Sequence, residues 1–336
     1  MINGALSDLA HLQRQTFEVQ RLRATLQTAG TEMVTGVRAD LSEDGTGLVG
    51  AVFGIDRNIA RLDQVTNGLN LAKAEASVAQ SAMGLVADAG EQFGIDLAAA
   101  IGRDDVTSIL ILQGEAEQTL DSVVGVLNTQ VAGRALFAGT GTDMRAISSA
   151  EQIRTDINAI VAAAPDAATA WADIDTYFND PGGVFETTIY TGATDDLIGT
   201  VLPDGSRTAA PPRADDDAFR STLAALAGLA AVGSTTFGGS IIEQRAFAQD
   251  ASGRLFDANR DVVTLRASFG QTEERIIEGL DAAEAEITTL RLARVDVAGR
   301  DPYQAATEFS ALEGQLQSLF TVTARVSSLT LANFLR

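Results

Sequence analysis

The chain holds one histidine, His11, and no cysteine. A Ser-His-Asp arrangement, a histidine metal cluster and thiolate chemistry therefore cannot be assembled within it. His11 reads as a helix-surface or interface side chain. Asp195-Asp196 and Asp215-Asp216-Asp217 could gather a calcium ion in principle. They lack the ligand spacing of an EF-hand loop, and such acidic runs are ordinarily solvated loops or helix starts. Glu273-Glu274 and the Glu284/Glu286 pair fall on a predicted exposed helical face, where solubility explains them better than glycosidase chemistry. Gly139-Thr140-Gly141 is not a phosphate loop, because no Gly-Lys-Ser/Thr follows. The expectation is a chain without a catalytic site, cofactor or metal, and not an enzyme.

Composition points the same way. Against 24 basic side chains stand 45 acidic ones, a formal net charge of -21 over 336 residues. That balance repels phosphate backbones, and no basic patch reverses it, so nucleic acid is not an expected partner. Acidity of this size also keeps a concentrated or secreted subunit soluble. Met1 to Asp8 has no basic stretch ahead of an apolar core, so no cleaved secretory signal is expected. No run approaches 18 uncharged apolar residues, and no membrane span is expected.

The elements that carry these residues are read from periodicity and proline. All six prolines (Pro165, Pro181, Pro203, Pro211, Pro212, Pro302) follow residue 164. Proline breaks helix interiors, so its absence permits long helices there. Within residues 1–34, Val19, Leu22, Leu26, Ala29 and Met33 form one helical stripe, with Leu9 as an apolar position further out. Thr35-Gly36-Val37-Arg38 interrupts, and Ser42 to Gly47 reads as a polar connection. From Leu48 through Leu62, Leu69 and Met83 to Val86, near-heptad spacing runs for about 40 residues, roughly 60 Å of helix. A third helix over about 104–131 starts at Asp104-Asp105.

Gly133 to Asp143 reads as a strand or hairpin leaving the helices. Short helices are predicted near 149–163 and 166–178, a strand at Phe185–Tyr190, and a hairpin around the Asp204-Gly205 turn. A helix over 215–232 follows. From about 241 a heptad-like stripe continues almost to Val297. After Arg300-Asp301-Pro302 a last helix carries Ala305, Phe309, Leu312, Leu316, Leu319, Val322, Val326 and Leu329. The fold class is mainly α: a long antiparallel helical rod or coiled coil built from both chain ends, with a small α+β domain inserted in the middle. The expected segments are 1–45 and 300–336 as terminal coiled-coil segments, 46–145 and 241–299 as the two halves of the rod, and 146–240 as an outward domain. Residues 48–131 and 250–297 read as an intramolecular bundle. The two terminal stripes read as contacts between subunits, because a lone helix in water is marginal.

Several of these stretches resemble the bacterial flagellin superfamily. Thr35-Gly36-Val37-Arg38 is similar to that family's Ser/Thr-Gly-Lys/Val-Arg turn after the first helix, although Glu43-Asp44-Gly45 stands where Asp-Asp-Pro is usual. Gly133 to Gly139 resembles a Gly-Arg-Tyr-Ile/Leu-Phe-Ala-Gly segment closing the third helix. Asp301 to Thr307 and the closing Ser327 to Arg336, with Leu331, Asn333, Phe334 and Leu335, resemble the terminus of the hook-associated branch at the hook–filament junction. The resemblance covers roughly 1–145 and 240–336.

It implies a structural subunit, exported unfolded without a cleaved signal and located outside the cell on the flagellum. Its terminal helices would pair on assembly. The subunit interface would then include Leu9, Val19, Leu22, Leu26, Met33, Gly36, Arg38, Phe309, Leu312, Leu316, Leu319, Val326, Leu329, Leu331, Asn333, Phe334 and Leu335. The implied partners are further copies in a ring, an adjacent hook-associated junction protein, flagellin, the flagellar type III export machinery and an export chaperone. A filament-forming flagellin is the alternative, and a cytosolic coiled-coil scaffold is a third reading from another class.

Overall fold

A computed structural model describes residues 2–39, 46–103, 106–233 and 235–334, with side chains described for all of these except 2–12, 15, 46, 47, 106, 109, 110 and 326–334. The elements are α1 (Ile2–Thr35), α2 (Thr46–Gly102), α3 (Val106–Leu127), β1 (Gln130–Val131), β2 (Arg134–Ala135), α4 (Ala150–Ala163), α5 (Ala167–Asn179), α6 (Asp217–Ala230), α7 (Ile241–Ala298) and α8 (Pro302–Phe334). The chain is mainly helical, as its periodicity predicts. The long helices α2 and α7 pack together and run antiparallel: Gln80 donates to the Arg266 carbonyl (3.0 Å), while Gly94 lies against Phe256. The expected polar connection at 42–47 and the Asp104-Asp105 helix start fall largely or wholly outside the described residues.

Two compact units make up the chain. One comprises Met1–Asp63 with Glu284–Arg336, the other Gln64–Ala283. The second is organised around α6, which packs against α3, α4 and α5. Phe219, Leu223, Leu226 and Leu229 are buried, as are the alanines between them. From Thr222 to Ala230 every residue is buried, and a helix enclosed on all sides in this way lies in the core. Trp171 of α5 stacks on Phe247 of α7 with ring centroids 4.4 Å apart, and its indole N–H donates to the Phe247 carbonyl at 3.3 Å. The Arg254 guanidinium lies 4.4 Å from the same indole and forks onto Asp175 at 2.7 and 2.9 Å. Gly228 makes this packing possible: a Cβ there would come within 2.7 Å of the Trp171 ring.

The short helices start where a capping residue stands. Ser149 accepts from the Gln152 amide, Asp166 from Thr169 at 2.7 Å and Asp216 from Ala218. The hydrogen bond donated by the Thr169 amide holds the Asp166 carboxyl below the usual carboxylate range. A depressed carboxyl stabilises the fold above its unfolded value near 3.8 and loses that contribution as the pH falls through its folded value. Asp166→Asn keeps an acceptor at the cap but removes the charge. The Tm advantage of the native protein over this variant is therefore expected to shrink as the pH falls below about 3.8 in thermal melts.

Two predicted strands are corrected. Phe185–Ile189 forms a single π-helical turn, because Phe185 and Ile189 are buried four residues apart while the three residues between them are exposed. The Phe185 ring meets Phe178 at 5.1 Å, a contact no local pattern announces. Around Asp204-Gly205 the turn forms, with Asp204 accepting from the Ser206 amide at 2.8 Å. The flanking residues make only the isolated bridge Val201↔Arg207, not paired strands. The two-stranded sheet lies earlier, with Gln130 opposite Ala135 and Val131 opposite Arg134. Its two-residue turn places Ala132 and Gly133 at positive φ, the backbone that matches the strand twist.

Candidate assembly surface

The first unit carries the terminal stripes. Here α1 and α8 lie side by side and antiparallel: a Cβ on Gly30 would approach the Phe309 ring at 3.2 Å, and the Arg23 guanidinium sits 5.5 Å from the Phe320 ring centre. Val19, Leu22 and Leu26 on α1 are half-buried, as are Phe309, Leu312, Leu316 and Leu319 on α8. Ala29 and Ala305 are buried, and Met33 is exposed. Leu9, Val326, Leu329, Leu331, Asn333 and Phe334 lie on the same two helices at positions whose side chains are not described. Leu335 falls outside the described residues. The stripes thus meet each other within one chain, yet the described leucines and Phe309 retain part of their surface in water. Burying a large apolar side chain fully contributes roughly 1.5–3 kcal/mol, so up to about a third of that remains unused at each.

Gly36 and Arg38 belong to a joint between the helix breaks. Gly36, at φ 65°, ends α1, a conformation that glycine adopts without steric cost. The Arg38 amide donates to the Ala298 carbonyl at 2.9 Å, and the Arg300 amide donates to the Gly36 carbonyl at 3.0 Å. Val37 and Gly299 form an antiparallel bridge between these bonds. Glu32 is only 5 % exposed, accepts from the Ala39 amide at 2.8 Å, and pairs with the Arg300 guanidinium. Arg300 reaches Glu308 as well. Asp301 then caps α8 by accepting from the Tyr303 amide at 2.8 Å, with Pro302 in the first turn.

Periodicity reasoning missed other apolar groups of this unit. Tyr303 is 80 % exposed, Phe53 73 % and Phe17 70 %, and Val34, Leu292 and Val295 are exposed too. All stand off the stripes. Large apolar residues at positions predicted to face water were the available signal, since a solvated face has no use for them.

The acidic clusters have structural employment. Arg213 forks onto Asp215 at 2.8 and 3.1 Å, meets Asp196 at 2.5 Å and donates to the Thr194 carbonyl. The hydrogen bond to Asp215 raises the Arg213 pKa further, keeping it charged. Asp216 caps α6, with its carboxyl pushed up by burial, and Asp217 pairs with Arg220. Thr140 donates its amide to the Asp195 carbonyl, so that amide of the Gly-Thr-Gly turn is used within the chain. Among the described residues no group of histidine, cysteine, aspartate or glutamate is gathered to hold a metal, and no helix is long and apolar enough to cross a membrane. The His11 side chain is not described.

Residues 254–335 match the family model described as the bacterial flagellin C-terminal helical region. This stretch is flagellin-like; it takes in most of α7 and all of α8, including the Arg300 joint. No curated protein sequence matches the chain. Among solved structures, a protein described as a flagellar hook-associated protein from Vibrio parahaemolyticus aligns at a TM-score of 0.51 with 13% identity, over 76% of this chain and 99% of that one. The likeness is one of fold. Bacillus cereus FlgL aligns at a TM-score of 0.47 with 15% identity, over 73% of this chain and 97% of that one.

Proposed function

We propose that the chain is a structural subunit of the bacterial flagellum that forms the junction between hook and filament. One observation carries the reading. The flagellin-like residues 254–335 supply the α8 side of a helix pair whose leucines are only half-buried in the single chain. A seam left partly in water is completed by neighbouring copies, and the exposed Phe17, Phe53 and Tyr303 add apolar surface to the same unit. The subunit interface then comprises the stripe residues from Leu9 to Met33 and from Phe309 to Leu335, with Gly36 and Arg38 at the joint. Its partners are further copies in a ring, an adjacent hook-associated protein on one side and flagellin on the other. The flagellar type III machinery, with an export chaperone, delivers it unfolded, and it acts outside the cell without catalysis.

The description of the matched family favours one further reading, a flagellin that polymerises into the filament itself. Electron microscopy of purified protein added to hook seeds separates the two. A junction subunit stops at short rings or caps; a filament subunit grows long fibres. In cells, the junction reading expects a thin labelled band at the distal end of the hook, and hooks that shed flagellin when the gene is deleted. Protein confined to the cytosol of motile cells would refute both readings and favour a coiled-coil scaffold.

A further inference from the structure

Residues 197–211 lie over the long helices α2 and α7 as a strap. Its two ends are pinned elsewhere. The Asp195 carbonyl accepts from the Thr140 amide at 3.0 Å, and the Ala214 amide donates to the Phe137 carbonyl at 2.8 Å. Between these pins only Leu202 and Thr208 are buried. The tip is closed on itself: the Leu202 amide donates to the Ser206 carbonyl at 2.8 Å and the Thr208 amide to the Thr200 carbonyl at 3.0 Å, while the Thr208 hydroxyl accepts from the Thr200 amide. Gly199 fits against the Thr208 carbonyl where no side chain has room.

The hold of the strap on the two helices is of another kind. Leu202 enters a notch at Gly279, where a Cβ would come within 2.6 Å of the Leu202 Cδ2 atom and 3.5 Å of Leu69. Thr200 faces Gly68, and Asp204 is attracted by Arg275 of α7. Among the described residues no hydrogen bond joins the strap to either helix. Beneath it a cavity of about 190 Å³ separates Leu197 and Pro211 from Ala72, Ala76, Phe269 and Ile276. The Ser206 hydroxyl is buried with no partner in the chain. A void and an unmet polar group both weaken the docked state, whereas leaving the helices costs the strap none of its own hydrogen bonds. Segments with few buried apolar contacts open first.

We propose that the strap is a latch: a preformed loop held on α2 and α7 by the Leu202 plug, which lifts as one piece and uncovers an apolar seat at Leu69, Ala76 and Ile276. The seat is dry when the latch is down and wet when it lifts. A chain without cysteine lets one introduced thiol report this motion. In full-length Ala76→Cys, alkylation by iodoacetamide is expected to run about a hundredfold or more faster than in Ala225→Cys, whose site in the core of α6 opens only on global unfolding. It should remain about tenfold or more slower than in Ala74→Cys, an exposed position on the same helix. Adding Leu202→Ala should speed Ala76→Cys labelling about tenfold or more. Gly279→Leu, which fills the notch from the α7 side, should do the same while Ala225→Cys stays slow. Ala76→Cys labelling as slow as Ala225→Cys, as fast as Ala74→Cys, or unmoved by both Leu202→Ala and Gly279→Leu would each overturn the latch. None of these measurements requires assembly, so failure of seeded growth bears on the junction reading alone.

Discussion

Leu223→Asp is expected to abolish the cooperative unfolding transition of the Gln64–Ala283 unit. Leu223 is fully buried at the middle of α6, a helix enclosed by α3, α4 and α5. An aspartate there must either ionise without a partner or carry a buried, unpaired carboxyl group. Either costs more than about 4 kcal/mol once the lost leucine packing is added, which is a large part of a domain's total stability. Leu223→Ala, which only opens a cavity, should cost about 2–5 kcal/mol and leave a lowered but cooperative melt. Calorimetry of both variants checks this. A Leu223→Asp protein that melts within a few degrees of the native one would show that α6 is not the centre of the core.

The combination Leu26→Asp with Leu316→Asp is expected to do the opposite: to block assembly while sparing that unit. Both leucines are partly buried on the α1–α8 pair, so within the monomer each change costs about 1–3 kcal/mol, and that cost falls on the α1–α8 unit rather than on Gln64–Ala283. Between copies the same positions would need to lose their remaining water. Two new carboxylates in a chain already at -21 would make that desolvation and repulsion prohibitive. Seeded growth followed by electron microscopy should show no added subunits, while the main melting transition stays in place. A drop in melting temperature comparable to that of Leu223→Ala would place these leucines in the monomer's core. Normal growth would remove the terminal stripes from the interface.

The two results separate what the helices do for the single molecule from what they offer to neighbours. The same division shows where sequence reasoning succeeded. Helix existence is a local property: spacing of apolar residues, absence of proline before residue 165, and a capping side chain at the start. Hence α2, α7 and α8 follow from the pattern, and so do the short α4, α5 and α6 with Asp166 and Asp216 at their starts. The Phe185–Ile189 segment failed for an equally physical reason. Phe-Glu-Thr-Thr-Ile-Tyr alternates like a strand, but the aromatic neighbour Phe178 buries positions four apart and winds the backbone instead.

For the candidate site, the sequence by itself determined the stripes on α1 and α8 and the two breaks that end and begin them, because amphipathic periodicity and helix termination act within a few residues. Only the tertiary structure decided that Thr35-Gly36-Val37-Arg38 meets Ala298-Gly299-Arg300, that Glu32 is buried against Arg300 some 268 positions away, and that the Arg213 fork occupies the acidic clusters. Such pairings depend on which distant surfaces the folded chain brings together, and charge and backbone groups carry no periodic signal of their eventual partners.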